Sequence, residues 1–428
     1  MIEQLLAYNT LVVLFGVSLL GAGAGMVGSF AVLRKRSLTG DAVAHAALPG
    51  VCVAFLLLGH RNLTVMLLGA LASGVLGIVI ISSLSRWTRV KEDAAIGIVL
   101  SVFPGIGFAL SRIIQNLTTS GSKAGLDSFI LGKTAGMTRP DVYLILAAAI
   151  FCVIVVVVLY KEFQVIAFDI GFARSLGWPV YALDLLLMSL IAIAVVIGLP
   201  AVGMVMMAAL LIMPGAAARF WTDRLSHLLL LAGLFGLLTG MIGTAISALY
   251  SMLPAGPIIV LTGSGIFLLS VLFGTRRGAV VRYLAHTRFQ REYGERQLLL
   301  EALALTLAKS QAPEFSLAEL TARKSWSAAH VTKLLAIAER DKLVQRQTSG
   351  SFRLTAGGLR RAVEIMRGQR LWEEFLAEYP ELAASSANLA SESVEEYVEP
   401  RIVAEMTARL KLQNRWPAAP KAFAEATG

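Results

Sequence analysis

Along the first two thirds of the chain, apolar residues come in long blocks. Beyond that, they recur with the shorter period of a water-soluble helical domain. The blocks fall near residues 9–32, 42–59, 63–84, 94–112, 142–160, 180–198, 201–218, 226–250 and 256–274. Each approaches the roughly 20 residues a helix needs to cross a bilayer. Several are parted by only a few residues, so the pattern predicts eight or nine spans. Positive residues mark alternate loops: Arg34, Lys35 and Arg36; Arg86, Arg89 and Lys91; Lys161 and Arg174; Arg219 and Arg224; Arg276 and Arg277. With nine spans, the positive-inside rule places the N-terminus outside and the C-terminus in the cytosol. The loop 114–139, which carries Lys123, Lys133 and Arg139, fits this scheme least well. The N-terminus has no positive n-region or small-residue cleavage site, so the first block is expected to stay as a span.

After Gly278 the polar positions take over. Residues 1–278 read as a membrane domain and 279–296 as a charged connector with Arg282, Arg288, Arg291, Glu292, Glu295 and Arg296. From Gln297 the periodicity predicts a helix over Leu298–Lys309. A second helix opens at the capping-box sequence Ser316-Leu317-Ala318-Glu319. A third starts at Trp326 or Ser327, with Val331, Leu334, Leu335 and Ile337 on one face. Val344–Leu354, broken at Ser349-Gly350, suits a two-stranded hairpin. That order over 297–355 is a winged helix-turn-helix. A helical, dimerisation-like region follows over 356–415, with helices predicted over Ala356–Glu378 and from about Ser391. The Ala/Pro-rich 416–428 is expected to fray. The fold class expected is an all-α polytopic membrane protein with a C-terminal cytosolic winged-helix domain and a helical region behind it.

Composition sharpens the division. Mean hydropathy is +0.71, and only 15% of residues are charged. Of the 38 Lys/Arg and 28 Asp/Glu, 17 and 10 lie in 1–278, which leaves 21 and 18 beyond it. Most of the net +10 therefore belongs to membrane topology and is weak evidence for nucleic acid. Cys52 and Cys152 both sit in apolar runs, which makes them buried bystanders and not a disulfide framework.

The candidate chemistry lies at the start of the second block. Asp41 and His45, within Gly40–Gly50, are spaced i and i+4, so both side chains leave one helix on the same side. An ionisable group at the centre of a membrane helix costs roughly 2.5–3.5 kcal/mol, so its presence points to function. A carboxylate beside an imidazole is a ligand set for a divalent transition metal. The plainer alternative is a polar pair that holds helices together. The segment Phe168–Pro179 is short, polar, on the predicted cytosolic side and closed by Gly177 and Pro179. It reads either as a connecting loop or as a short amphipathic helix for a nucleotide-hydrolysing partner.

Two motifs are rejected. Gly23-Ala24-Gly25-Met26-Val27-Gly28 satisfies GxGxxG but lies inside a span, where small-residue packing, including Gly21 and Gly25, accounts for it. Gly132-Lys133-Thr134 has Asp127 where a phosphate loop needs glycine. With no nucleotide site of its own, the chain is expected to depend on a separate ATPase. Met204, Met206, Met207 and Met213 read as packing residues, and His60, His227 and His286 as solvated.

Six segments recur in a recognisable order: Gly40–Gly50, Lys91–Gly97, Leu126–Gly132, Phe168–Gly177, Leu210–Pro214 and Pro254–Pro257. Over roughly residues 5–275 the chain resembles the permease subunits of metal-chelate ABC importers of the zinc, manganese and iron type. The resemblance implies that Asp41 and His45 coordinate the transported ion. It also implies that Phe168, Asp169, Phe172, Ala173, Arg174, Leu176 and Gly177 form the segment that couples to the ATPase. Ala46-Ala47 stands where many relatives carry Ser or Val.

Residues 297–400 resemble metal-dependent repressors of the diphtheria-toxin-repressor class. Glu373, Glu392 and Glu395 match places in that class's dimerisation region. Gln369, Asn388 and Glu396 stand where its ligands, two of them histidines, are expected. Amides are poor ligands beside imidazole, so a regulatory metal site drawn from Glu373, Glu392, Glu395 and Glu396 would be weak or altered. Ser327, His330, Lys333 and Arg340 on the third helix, with Arg346 and Arg353 on the wing, are the candidate DNA contacts. A protein–protein module is the alternative for this region.

Together these readings predict an inner-membrane permease in a bacterium, moving a divalent ion as substrate with no tightly bound cofactor. Its expected partners are an ABC ATPase, an extracytoplasmic metal-binding protein, a second or paralogous permease, lipids and, through the tail, DNA. The rivals are a membrane-tethered or proteolytically released metal-responsive repressor and an ion-gradient-driven transporter.

Overall fold

The computed structural model describes residues 7–60, 62–117, 129, 132–250, 253–308, 314–323, 326–348, 350–378 and 398–417. The chain separates into two compact units, Met1–Arg282 and Tyr283–Gly428.

Among its described residues the first unit is built of helices. Its long elements are α1 (Tyr8–Leu33), α2 (Leu38–Leu58), α3 (Leu63–Trp87), α4 (Glu92–Leu117) and α5 (Arg139–Val158). The short helices α6 (Tyr160–Phe168) and α7 (Ile170–Ser175) follow. After them come α8 (Val180–Val202), α9 (Met204–Ala218), α10 (Leu225–Leu249) and α11 (Ala255–Phe273). Eight of these helices are long and apolar enough to cross a membrane, and α9 is a shorter apolar helix. At 1.5 Å per residue, α9 is about 22 Å long. The first unit is therefore a multi-pass, helical membrane domain.

Helix α1 is the central post. Its buried side includes Gly21, Gly23, Gly25 and Gly28, and it packs most extensively on α10 and α9, with α5 beside them. A Cβ on Gly28 would lie 2.0 Å from the Leu211 carbonyl oxygen, so α9 touches α1 backbone to backbone. The GxGxxG stretch is thus a packing surface. Gly203, at φ +86°, breaks α8 from α9, and the 132–138 segment folds onto that break. There the Lys133 amide donates to the Pro200 carbonyl (3.0 Å), and the Thr134 hydroxyl donates to that of Ala201 (2.8 Å). Gly132, the start of the rejected phosphate-loop motif, has φ +75° and packs on the Val202–Gly203 backbone.

A cluster of charge sits at one end of this bundle. The turn between α1 and α2 carries Arg34 and Arg36, and both bind Asp184 of α8. Arg36 also pairs with Glu92 in the first turn of α4. The turn closes on α1 through hydrogen bonds from the Arg34 amide to the Phe30 carbonyl (3.0 Å) and from the Arg36 amide to that of Ala31 (2.8 Å). Lys35 takes the left-handed conformation between them, at φ +59°. This is the Schellman way of ending a helix.

The predicted connector is part of one long helix, α12 (Ala279–Ala308), most of which belongs to the second unit. Next come β1 (Glu314–Phe315), α13 (Leu317–Arg323), α14 (Ala328–Arg340), β2 (Val344–Arg346), β3 (Phe352–Leu354), α15 (Ala356–Glu378) and α16 (Pro400–Leu412). The strands form an antiparallel sheet in the order β1-β3-β2, and its first strand was not expected from the sequence. The capping box at Ser316 forms: the Ser316 amide donates to Glu319 (2.9 Å), and the Glu319 amide donates to the Ser316 hydroxyl (3.2 Å). Leu298, Leu303, Phe315, Leu320, Leu335 and Leu354 belong to the unit's own core. The expected helix start near Ser391 lies outside the described residues; α16 begins at Pro400.

Candidate functional site

Helix α2 begins at Leu38, four residues before the apolar block, so Asp41 lies in its first turn and not deep within a span. A carboxylate there is favoured by the positive end of the helix dipole, which relieves part of the insertion cost argued from sequence. His45 follows one turn on. Its Nε2 stands 3.6 Å from Asp41 Oδ1, beyond hydrogen-bond range. Two donors so placed, each about 2.1 Å from a shared ion, would subtend about 120° at it, close to tetrahedral or trigonal geometry. Neither side chain is sealed off, at 24% (His45) and 30% (Asp41) exposed. His45 Nδ1 is buried and has no hydrogen-bond partner among the described residues. Among the described residues no group of three or more His, Cys, Asp and Glu could hold a metal ion. The pair therefore offers two ligands of these types among the described residues.

The helix holding the pair is fixed on two sides. Ala42 and Ala46 pack with Ile81 of α3 and Ala95, Ile96, Val99 and Phe103 of α4, while Ala44 and Ala47 face the main core. The Ser73 hydroxyl donates to the Ala46 carbonyl at 2.6 Å. Gly50 and Gly69 meet at backbone distance: a Cβ on Gly50 would be 2.0 Å from the Gly69 carbonyl oxygen. Pro49, inside α2, cannot donate to the His45 carbonyl and so loosens the helix just beyond the pair.

The Phe168–Gly177 segment is a short capped helix and not a plain loop. The Asp169 carboxylate accepts the Phe172 amide at 2.9 Å, and Gly177 closes the far end with φ +75°. Ala173 is fully buried and anchors the segment, and Arg174 is exposed. Phe168, Phe172 and Leu176, four residues apart, are exposed by 62%, 53% and 49%. These large exposed apolar side chains, the first at the end of α6 and the others on or just after α7, suit a partner.

The remaining candidates scatter. Glu373 is engaged by Arg370 at 2.8 Å, and Glu392, Glu395 and Glu396 lie outside the described residues. Ser327 caps α14 by accepting the His330 amide (3.3 Å). His330 and Lys333 are exposed on α14. Arg340 reaches Asp341 (3.4 Å), Arg346 lies over the Phe352 ring, and Arg353 is exposed on β3. Cys52 and Cys152 are buried free thiols, which donate to the Gly107 (3.6 Å) and Leu190 (3.9 Å) carbonyls. The sequence reading assigned Arg34 and Arg36 to topology and overlooked Asp184. The available signal was a lone carboxylate inside the apolar block 180–198.

The model of the ABC 3 transport family matches residues 7–274. The chain is 39% identical over 428 residues to the manganese transport system membrane protein MntC of Bacillus subtilis, covering 99% of this chain and 96% of that one. It is 44% identical over 268 residues to the zinc transport system membrane protein TroC of Treponema pallidum, covering 63% of this chain and 90% of that one. Among solved structures it resembles PsaBC from Streptococcus pneumoniae in complex with Fab. The TM-score there is 0.58 at 29% identity, covering 67% of this chain and 98% of that one.

Proposed function

The chain belongs to the ABC 3 transport family, and on that premise we propose that it is the permease subunit of an ATP-driven importer of divalent transition metal ions. Similarity to manganese and zinc transport proteins supports that substrate class. The observation that carries the mechanism is the 3.6 Å separation of Asp41 and His45 on one helix, with both side chains accessible. Manganese, iron and zinc all accept mixed oxygen and nitrogen ligands. Two protein ligands among the described residues suit a transfer site, where the ion must be released as readily as it is taken.

Membership of the family supports the partners. An extracytoplasmic metal-binding protein delivers the ion, and a separate ATPase subunit drives the cycle by pressing on Phe168, Phe172 and Leu176. A second permease, identical or paralogous, completes the pathway. Helix α4 supports such pairing: Gly97, Ser101, Gly105 and Ala109 are exposed at four-residue spacing, the small-residue pattern of membrane helix association. The assembly sits in a bacterial inner membrane with the second unit in the cytosol.

For that second unit we propose a winged helix-turn-helix, with α13 and α14 as the helix pair and β2–β3 as the wing. Exposed Lys333, Arg346 and Arg353 support an anionic partner such as DNA. The engagement of Glu373 by Arg370 speaks against a metal sensor of the repressor type. A mobility shift of operator-containing DNA by the intact chain in nanodiscs would support this reading, and none at low salt would count against it.

The transport test uses the reconstituted complex of permease, ATPase and binding protein. Uptake of Mn²⁺, Fe²⁺ or Zn²⁺ should be lost in Asp41→Ala and in His45→Ala while the complex still assembles. Undiminished uptake in both would remove the pair from the pathway.

A further inference from the structure

We infer that Asp184 is a positioning residue, which links the ATPase-facing segment to the helix that carries Asp41 and His45. The inference rests on the reading of the chain as an ATP-driven permease. Its basis is the charge cluster where α2, α4 and α8 begin. Asp184 is 11% exposed and Arg34 5%, so this ion pair is nearly withdrawn from water. Arg36 joins it from the same turn, 2.9 Å from Asp184 Oδ2, and also binds Glu92. Two cations and two carboxylates thus balance within one cluster.

The cluster lies between two rigid caps. On one side, α7 ends as α1 does. The Gly177 amide donates to the Arg174 carbonyl (3.0 Å) and the Trp178 amide to that of Ala173 (3.2 Å), with Gly177 left-handed. Pro179 then leads directly into α8, whose early turns hold Asp184. On the other side, the turn bearing Arg34 and Arg36 is locked on α1 by its own cap and leads directly into α2. A displacement of Phe168, Phe172 and Leu176 therefore has little slack to dissipate in before it reaches Asp184. From there it passes through charge-assisted hydrogen bonds, the strongest side-chain contacts available, to the residues just ahead of Asp41.

Bulk stabilisation alone accounts poorly for this arrangement. A buried ion pair is weak evidence for stability, because desolvation offsets its attraction. Its better use is to fix a geometry, and here the geometry fixed is that of three helix starts at once. The branch to Glu92 extends the same hold to α4, which flanks the metal pair.

The test compares Asp184→Asn, Asp184→Glu and Glu92→Gln in proteoliposomes holding the full complex. ATP hydrolysis and uptake of radioactive Mn²⁺ are measured on the same samples. The expected result is that Asp184→Asn and Glu92→Gln hydrolyse ATP near the wild-type rate while uptake falls about tenfold, the scale of a coupling free energy between sites. Asp184→Glu, which restores the charge, should recover much of the uptake. If Asp184→Asn does not assemble, Glu92→Gln at the more exposed end decides alone. Uptake that falls only in proportion to hydrolysis, or that does not fall in Glu92→Gln, overturns the inference. A wild-type complex that takes up no Mn²⁺ or Zn²⁺ would instead overturn the transport reading beneath it.

Discussion

Gly21 of α1 and Gly236 of α10 bring their helices into backbone contact. A Cβ on Gly21 would stand 2.2 Å from the Gly236 carbonyl oxygen, and one on Gly236 would stand 2.0 Å from that of Gly21. In a bilayer there is no hydrophobic drive between helices, so close van der Waals approach supplies much of the association energy. A methyl group at either position meets backbone, which cannot rotate away. Gly21→Ala or Gly236→Ala should therefore cost about 1–3 kcal/mol by overpacking. The detergent-solubilised protein should show a lowered thermal midpoint and a smaller monodisperse fraction. Gly265→Ala is the control, since a Cβ there meets nothing within 4 Å.

The same helices show how much could be read in advance. Apolar blocks located every long helix of the first unit to within a few residues, because in a membrane the length of an apolar run is itself the fold signal. They placed the start of α2 too late. Asp41 and Thr39 lowered the local hydropathy, yet the helix reaches back to Leu38. In the second unit, side-chain chemistry at the ends, Ser316 with Glu319 and Ser327 at its cap, located α13 and α14. The strand Glu314–Phe315 was invisible because two residues carry no periodicity, and its pairing with Arg353 and Phe352 is a tertiary matter. Asp41 and His45 were legible as a pair from i, i+4 spacing. The cluster around Asp184 was not, because Arg34 and Asp184 are 150 positions apart.

Asp169 should control coupling without touching the metal. Its carboxylate caps α7 by accepting the Phe172 amide, and the side chain that this amide bears is one of the three exposed apolar groups. Asp169→Ala should remove a cap worth about 1 kcal/mol, enough to fray a helix of six residues. The expected outcome is weaker retention of the ATPase subunit during purification and lower ATP-driven uptake. Asp169→Asn, which can still accept the amide, should stay near wild type. Equal loss in both variants would point to the charge and not the cap.

Burial pushes the Glu295 carboxyl above its ordinary value of 4.5; Asp341 adds to the rise and Arg291 opposes it. The folded second unit therefore holds that proton more tightly than an unfolded chain does. The sign follows: stability is greatest below the ordinary carboxylate pKa and declines as pH rises through the folded value. Glu295→Gln should abolish this decline and slow amide exchange in residues 298–305 near neutral pH. Hydrogen exchange of the intact chain at about pH 5 and about pH 7.5 provides the measurement. Faster exchange in Glu295→Gln at the higher pH would show that the carboxylate is favourably paired in the fold.

Removing the second unit should leave basal transport standing. Its apolar core, from Leu298 through Val363, is a separate cluster from the one that holds Val17, Val43, Leu187 and Leu211 in the first unit. The Asp41–His45 pair, the Phe168–Gly177 segment and the Arg34–Asp184 cluster all lie within Met1–Arg282. A chain ended after about residue 285 keeps all three, together with α5, α8, α9 and α10, which pack on α1. Such a truncation should assemble with its ATPase and take up Mn²⁺ at close to the full-length rate. Its response to metal excess or to DNA should be what changes. Loss of assembly on truncation would mean that the second unit holds the complex together, and the regulatory role proposed for it would have to be given up.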